Sequence, residues 1–174
     1  MSLEKLSEVR VLLVAHKVSG TQILRTVFAL AGVTKLTLTY EPRHALELLC
    51  TESYDAVFVE GALEYDGMPF AIAARRVPAL LNPMIAIFAV FPEARKRDVE
   101  LARDLGVHDV ICRPVSPKTI GIKLRGVLAQ PRPFIAAPGF FGPDRRAKSR
   151  ATGTPAQERR TRAAKKTKVS VSLV

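Results

Sequence analysis

The chain has 174 residues, of which 48% are hydrophobic and 25% are charged, and its formal net charge is +11. No run approaches the roughly 18 consecutive apolar residues of a membrane span, and the N-terminus lacks the basic and then apolar plan of a signal peptide. Cys50 and Cys112 are far apart in sequence and are predicted to be reduced core thiols. These features predict a cytoplasmic protein without membrane insertion.

In residues 1–130, short apolar segments rich in β-branched residues alternate with amphipathic segments. The predicted strands are Val9–Ala15, Lys35–Tyr40, Ala56–Glu60, Met84–Val90 and Asp109–Cys112. The predicted helices are Thr21–Ala31, Pro42–Leu49, Pro69–Leu80, Glu93–Leu105 and Pro117–Leu128. This alternation predicts one α/β domain over residues 1–130, with a five-stranded parallel sheet and helices on both faces.

Five segments of this domain follow a recognisable order. They are Val-Arg-Val-Leu-Leu-Val at 9–14, Ser-Tyr-Asp-Ala-Val-Phe-Val-Glu at 53–60, Tyr-Asp-Gly-Met at 65–68, Asn-Pro-Met-Ile-Ala-Ile-Phe-Ala at 82–89, and Gly-Val-His-Asp-Val-Ile-Cys-Arg-Pro-Val-Ser-Pro at 106–117. Together they resemble the receiver domain of CheY-like response regulators, which implies a flavodoxin-like fold. The last segment is the most specific, because it places a glycine cap, a strand and a basic residue before proline in the family's order.

The chain departs from that family where receivers carry their chemistry. The resemblance implies two acidic residues for magnesium after the first strand, where Ala15 and His16 stand here. Glu60 stands at the position of the phosphate-accepting aspartate, Phe88 at that of the Ser or Thr on the fourth strand, and Arg113 at that of the lysine. A hard cation needs several oxygen ligands, and phosphoryl transfer depends on that cation. We therefore expect no metal site, no phosphorylation and no enzymatic activity.

Glu60 is open to more than one interpretation. We expect it to form a structural ion pair with Arg113 across the degenerate pocket, without switching. The alternatives are a pair that holds the domain in one conformation and so imitates a phosphorylated aspartate, and a partly exposed acid at a strand end. His16 is expected to be a solvated loop residue, and Asp66-Gly67 a turn.

The charge of the chain is concentrated in residues 131–174. This extension carries eleven Lys and Arg side chains and two acidic ones, which accounts for nine of the eleven net positive charges. It has too few large apolar groups to offset its own ordering entropy. The sequence therefore predicts a basic, largely disordered extension with an anionic partner.

The first part of the extension combines arginine with phenylalanine and one acid. Arginine binds phosphate in a bidentate manner and stacks on bases, a carboxylate accepts from guanine, and an aromatic ring supplies a stacking wall. Arg146 and Arg150 also have the Arg-x-x-x-Arg spacing of PilZ-type cyclic di-GMP sites. The residues predicted to bind the nucleotide are Arg132, Phe141, Asp144, Arg145, Arg146, Arg150, Arg159 and Arg160.

This combination resembles the CheY-like effectors whose arginine-rich C-terminal extension binds cyclic di-GMP. The resemblance implies a receiver body that docks on a protein target, the flagellar motor switch being the expected one. Two alternatives remain at this point. The tail binds nucleic acid or another polyanion, or the chain is a pseudo-receiver adaptor whose partner meets residues 93–128. In the last case the tail is only solubilising, with Phe134 and Phe140 packed on the domain.

Overall fold

A computed structural model describes residues 6–16, 20–60, 63–93 and 95–144. The chain divides into two compact units, Met1–Pro143 and Asp144–Val174, and the first contains every helix and strand of the described part. The strands are β1 (Arg10–Val14), β2 (Lys35–Thr39), β3 (Ala56–Glu60), β4 (Glu64–Tyr65), β5 (Met68–Pro69), β6 (Ala86–Phe91), β7 (Asp109–Cys112), β8 (Phe134–Ala137) and β9 (Phe140–Pro143). The helices are α1 (Thr21–Leu30), α2 (Pro42–Thr51), α3 (Phe70–Arg76), α4 (Lys96–Asp104) and α5 (Pro117–Ala129).

The main sheet has five parallel strands in the order β2-β1-β3-β6-β7. The prediction of a parallel sheet with helices on both faces is confirmed. Buried side chains form one apolar layer with α1 and α5 and a second one with α2, α3 and α4. In the first layer the ring of Phe58 stacks on that of Phe88 at 4.6 Å and meets that of Phe28 edge-on at 4.8 Å. Such aromatic contacts stabilise a core beyond the burial of their area.

Local sequence explains where the elements differ from their predicted bounds. Helix α3 ends at Arg76 rather than at residue 80, because Val77 precedes Pro78 and is extended, with ψ of 112°. Asp66 and Gly67 both have positive φ and form the predicted turn, which connects β4 to β5 in a small hairpin. Cys112 ends the edge strand β7 and is exposed, so the prediction of a core thiol is wrong for this residue.

The structure also corrects the picture of the first residues after 130. Strands β8 and β9 pair as an antiparallel hairpin, with Phe134 opposite Pro143 and Ala137 opposite Phe140. The compact unit therefore extends to Pro143, although the sequence assigned these residues to a disordered extension. The prolines that prevent a helix here are compatible with the ends of strands and with a turn.

None of the helices in the described ranges combines the length and the apolar character that crossing a membrane requires.

Candidate functional site

The first candidate site lies at the carboxyl edge of the sheet, where β1, β3 and β7 end. Arg113, which follows β7, donates a hydrogen bond to Oε1 of Glu60 and forms an ion pair with it. The backbone N–H of His16, which follows β1, donates to Oε2 of Glu60 at 2.6 Å. The Glu60 side chain is only 17% exposed. Both carboxylate oxygens thus accept hydrogen bonds within the molecule, which confirms the predicted ion pair between Glu60 and Arg113.

At this edge, β6 does not end with the residue that the sequence suggested. The sequence suggested Phe88. Phe88 lies in the middle of β6, opposite Phe58, and its side chain is fully buried in the core. The side chain that ends the strand is Phe91, on the opposite face, beside Glu60 in the wall of a cavity of about 20 Å³. That volume admits about one water molecule. Phe88 therefore does not lie at the carboxyl edge, where the resemblance implied the phosphate-reading hydroxyl, and the side chains that end β6, Val90 and Phe91, are apolar.

Receiver domains imply a magnesium ion, and the residues at this edge do not fit one. Ala15 supplies no side-chain oxygen, His16 is exposed and contributes its backbone N–H, and Glu60 already accepts from Arg113 and His16. In the described parts of the chain no group of three or more His, Cys, Asp or Glu side chains has the arrangement of a metal site. A divalent cation needs several oxygen ligands at once, and among the described residues where β1, β3 and β7 end the carboxylate of Glu60 stands alone, with both oxygens already accepting hydrogen bonds.

The residues predicted to bind cyclic di-GMP are only partly within the described chain. Arg132 is partly buried just before β8, Phe141 lies in β9, and Asp144 follows Pro143 as the first residue of the second unit. The ring of Phe141, predicted to be a stacking wall, contacts that of Phe134, with 5.3 Å between centroids. Outside the described residues lie Arg145, Arg146, Arg150, Arg159 and Arg160.

Arg75 is a residue that the sequence analysis missed. It donates to the backbone oxygens of Pro83 at 2.6 Å and Ile85 at 2.7 Å, and its guanidinium lies 5.0 Å from the centre of the Phe134 ring. Burial lowers the pKa of Arg75 to about 10, because desolvation disfavours the charged form. The side chain remains protonated at neutral pH and joins α3, the start of β6 and the hairpin. A pair of arginines at the end of a helix was the only signal in the sequence.

Two glycines allow the hairpin to approach the body closely. Gly106 follows α4 with φ of +75°, and a Cβ atom there would lie 2.6 Å from the backbone oxygen of Phe141. A Cβ atom on Gly142 would lie 2.8 Å from the Cα of Gly106. Since real Cβ atoms do not come this close to backbone, the contact requires glycine at both positions. The hairpin is therefore docked by a specific backbone contact and by side-chain packing.

A buried histidine completes the contact between hairpin and body. His108 lies just before β7 and is 3% exposed, and its Nδ1 accepts a hydrogen bond from the backbone N–H of Ile87 at 3.2 Å. Its ring centroid is 5.5 Å from that of Phe134. This hydrogen bond ties the imidazole to the backbone of β6. His108 thus has a structural role at the amino edge of the sheet.

Comparison with models of known protein families gives no match, and comparison with curated protein sequences gives none either. Solved structures do match. A response regulator from Desulfuromonas acetoxidans superposes with a TM-score of 0.61 at 16% identity, over 70% of this chain and 97% of that one. The chemotaxis protein CheY4 of Vibrio cholerae gives a TM-score of 0.58 at 19% identity, over 68% and 98% of the two chains.

A third structure is a useful contrast at the carboxyl edge. The receiver domain of the sensor histidine kinase PA1611 of Pseudomonas aeruginosa, which holds a magnesium ion in its active-site cleft, gives a TM-score of 0.59 at 19% identity. It covers 70% of this chain and 98% of its own. The match concerns the fold, whereas the described residues at this edge of the present chain do not suit magnesium. The first unit therefore has the fold of a response-regulator receiver domain.

Proposed function

We propose that this chain is a non-enzymatic signalling effector whose receiver body acts without being phosphorylated and whose basic extension binds cyclic di-GMP. The observation that carries the first half of the proposal is the Glu60–Arg113 ion pair at the carboxyl edge. A phosphate-accepting aspartate must have a free oxygen and a metal ion beside it. Here both oxygens of Glu60 are occupied, and Ala15 and His16 replace the acidic pair. The regulatory signal must therefore act on another part of the chain than this edge.

The extension is where we place that entry. It holds nine of the eleven net positive charges of the chain, and its arginines match the two phosphates and two guanines of the nucleotide. Arg145 and Arg146 follow Asp144 directly. A carboxylate that accepts from guanine therefore stands beside two cations that bind phosphate. We assign phosphate and base contacts to these three residues and to Arg132 and Arg150, with Arg159 and Arg160 as further cations.

The output of the effector is proposed to be docking on a protein target. Leu101 on α4 and Ile122 on α5 are more than half exposed, and these helices precede and follow the edge strand β7 in the chain. Exposed apolar side chains suit a protein partner better than solvent. The target expected from the resemblance is the switch of the flagellar motor. A pull-down of motor switch proteins with and without cyclic di-GMP tests this, using Leu101→Glu and Ile122→Glu to disrupt the face. Nucleotide-independent capture that both variants leave unchanged contradicts the docking proposal.

Calorimetric titration of cyclic di-GMP into the full chain tests the nucleotide site. We expect a Kd of about 1 μM, equivalent to about −8 kcal/mol. Replacing Arg145 and Arg146 with Ala should weaken binding at least about tenfold, because each arginine makes charge-assisted hydrogen bonds. The matched control replaces Lys165 and Lys166, which removes the same charge from the same extension. It should bind within about twofold of the wild type in about 0.15 M salt, where long-range attraction is screened.

A polyanion-binding tail is the second candidate, and the concentration of charge in the extension favours it. It predicts that both double variants weaken binding equally, that a short DNA duplex competes with the nucleotide, and that affinity falls steeply as salt rises. Absence of any heat with cyclic di-GMP overturns the nucleotide proposal. Equal weakening of the two variants replaces it with the polyanion alternative.

A further inference from the structure

A cleft of about 270 Å³ opens at the amino edge of the sheet, the end opposite to Glu60 and Arg113. Its walls are the last residues of α3 and α4 on one side and the tip of the β8–β9 hairpin on the other. Arg76, Asp104, Leu105, Gly139, Phe140 and Phe141 line it. The cleft belongs to the first unit, and no step of the proposed function uses it.

The cleft has a defined shape, because the hairpin that forms its outer wall is held against the body by specific contacts. The backbone of Gly106 meets that of Phe141 and Gly142 so closely that neither glycine tolerates a Cβ atom. Arg75 holds the base of the hairpin through Phe134. Because this wall is held by backbone contact and by the guanidinium of Arg75, the width of the cleft is set before a ligand binds. Small-molecule sites are usually pre-formed in this way.

The polar groups of the cleft are available to a ligand. Arg76 and Asp104 are exposed, and within the described ranges neither forms a hydrogen bond or an ion pair with another side chain. Each is the last residue of its helix, where the helix dipole is negative. The cleft therefore favours a ligand that brings hydrogen-bond donors to the carboxylate of Asp104.

We propose that this cleft binds one guanine base of cyclic di-GMP, an inference that rests on the proposed function. Guanine presents its N1 and N2 donors on one edge, which suits the Asp104 carboxylate, and proteins hold unpaired bases by such edge contacts and by aromatic stacking. The half-buried ring of Phe140 provides the flat wall, and Arg76 provides a cation for the adjoining phosphate. A volume of 270 Å³ is just below the roughly 300 Å³ at which drug-sized sites begin, so the cleft suits a single base.

The test is an NMR titration of the ¹⁵N-labelled full chain with cyclic di-GMP and, separately, with GMP and AMP. We expect the amide signals of Leu105, Gly139 and Phe140 to shift with cyclic di-GMP and with GMP, and to shift much less with AMP, which lacks the N1 and N2 donors. Asp104→Asn should weaken both guanine ligands about tenfold, which corresponds to about 1.4 kcal/mol. Glu100→Gln is the matched control, because Glu100 is an exposed carboxylate one turn earlier on the same helix, and it should bind like the wild type.

The outcomes separate this inference from the proposed function. If cyclic di-GMP binds with signals shifting only beyond residue 144, and Asp104→Asn binds as the wild type does, the cleft proposal is overturned and the tail site stands. If the wild type does not bind cyclic di-GMP while GMP still shifts the cleft signals, the proposed function falls and the cleft remains a guanine site. Equal shifts with GMP and AMP overturn the recognition of guanine by Asp104.

Discussion

The two edges of the parallel sheet differ in how their charged groups are used. At the carboxyl edge, where ligands of open α/β sheets usually bind, Glu60 and Arg113 neutralise each other and the backbone of His16 occupies the remaining oxygen. At the amino edge, Arg75 is buried beneath the hairpin, while Arg76 and Asp104 face an open cleft. Among the described residues, the carboxylate at the usual ligand edge of this fold is therefore engaged within the molecule, whereas an accessible recess lies at the other end.

The largest effect is expected from removing the charge that joins the hairpin to the body. Arg75→Met leaves the backbone oxygens of Pro83 and Ile85 without their donors and removes the cation from the Phe134 ring. Hydrogen bonds of a charged donor are worth about 1.5–3 kcal/mol each, and relief of desolvation offsets part of that. We expect the free energy of unfolding, measured with urea, to fall by about 3 kcal/mol.

Arg76→Met is the control for that experiment. Arg76 is adjacent in sequence and exposed, so its substitution should change stability by no more than about 0.5 kcal/mol. A similar loss for both variants would contradict the role assigned to Arg75.

The next effect concerns the backbone contact of the hairpin. Gly106→Ala places a Cβ atom 2.6 Å from the oxygen of Phe141 at a φ of +75°, so both strain and a steric clash oppose it. We expect a loss of about 2 kcal/mol and faster hydrogen exchange of the β8–β9 amides. Both should follow from displacement of the hairpin.

Two other glycines separate the causes in the same assay. Gly139→Ala has a similar φ of +78° but an open surrounding, so only the strain of about 1 kcal/mol should remain. Gly126→Ala lies within α5 with open space around it and should stabilise the protein by about 0.5–1 kcal/mol. If Gly106→Ala lowers the free energy of unfolding no more than Gly139→Ala does, the close contact between Gly106 and the hairpin does not stabilise the protein.

A smaller effect is expected at the carboxyl edge. A double-mutant cycle with Glu60→Gln and Arg113→Met should give a coupling energy of about 1 kcal/mol, since the side chains are 17% and 35% exposed. The exposed pair Arg43–Glu47 on α2, with side chains 80% and 61% exposed, is the reference and should give no more than about 0.5 kcal/mol. Equal coupling energies in the two cycles would show that the Glu60–Arg113 pair is no stronger than an exposed surface pair.

The last prediction is that Glu60→Asp does not make the protein a substrate for phosphorylation. Glu60→Asp introduces the residue type that accepts phosphate in receivers, but Ala15 and His16 still provide no magnesium ligands. We expect no phosphorylated species by intact mass spectrometry after treatment with acetyl phosphate and magnesium. Adding Ala15→Asp and His16→Asp tests whether the missing metal ligands are the cause. Phosphorylation of the single variant would refute the argument from the metal.

The fold was accessible from sequence because its signals are local. Alternating apolar and amphipathic segments predicted all five strands of the main sheet to within two residues of each bound. The missing acids at 15 and 16 were likewise visible without a structure, since they depend only on which residues follow β1. The assignment of Phe88 failed because a shift along β6 exchanges the two faces of a sheet, and pattern alone did not fix where β6 ends.

The sequence by itself determined the layered α/β architecture, the absence of acidic residues at positions 15 and 16, and the segregation of charge into the extension. These follow from residue type and from periodicities a few residues long. Only the tertiary structure decided that both oxygens of Glu60 are occupied, that the hairpin docks through Gly106 and Gly142, and that Arg76 and Asp104 share a cleft. Each of these brings together residues 28 or more positions apart. Such proximity arises from the packing of whole elements, which local patterns do not encode.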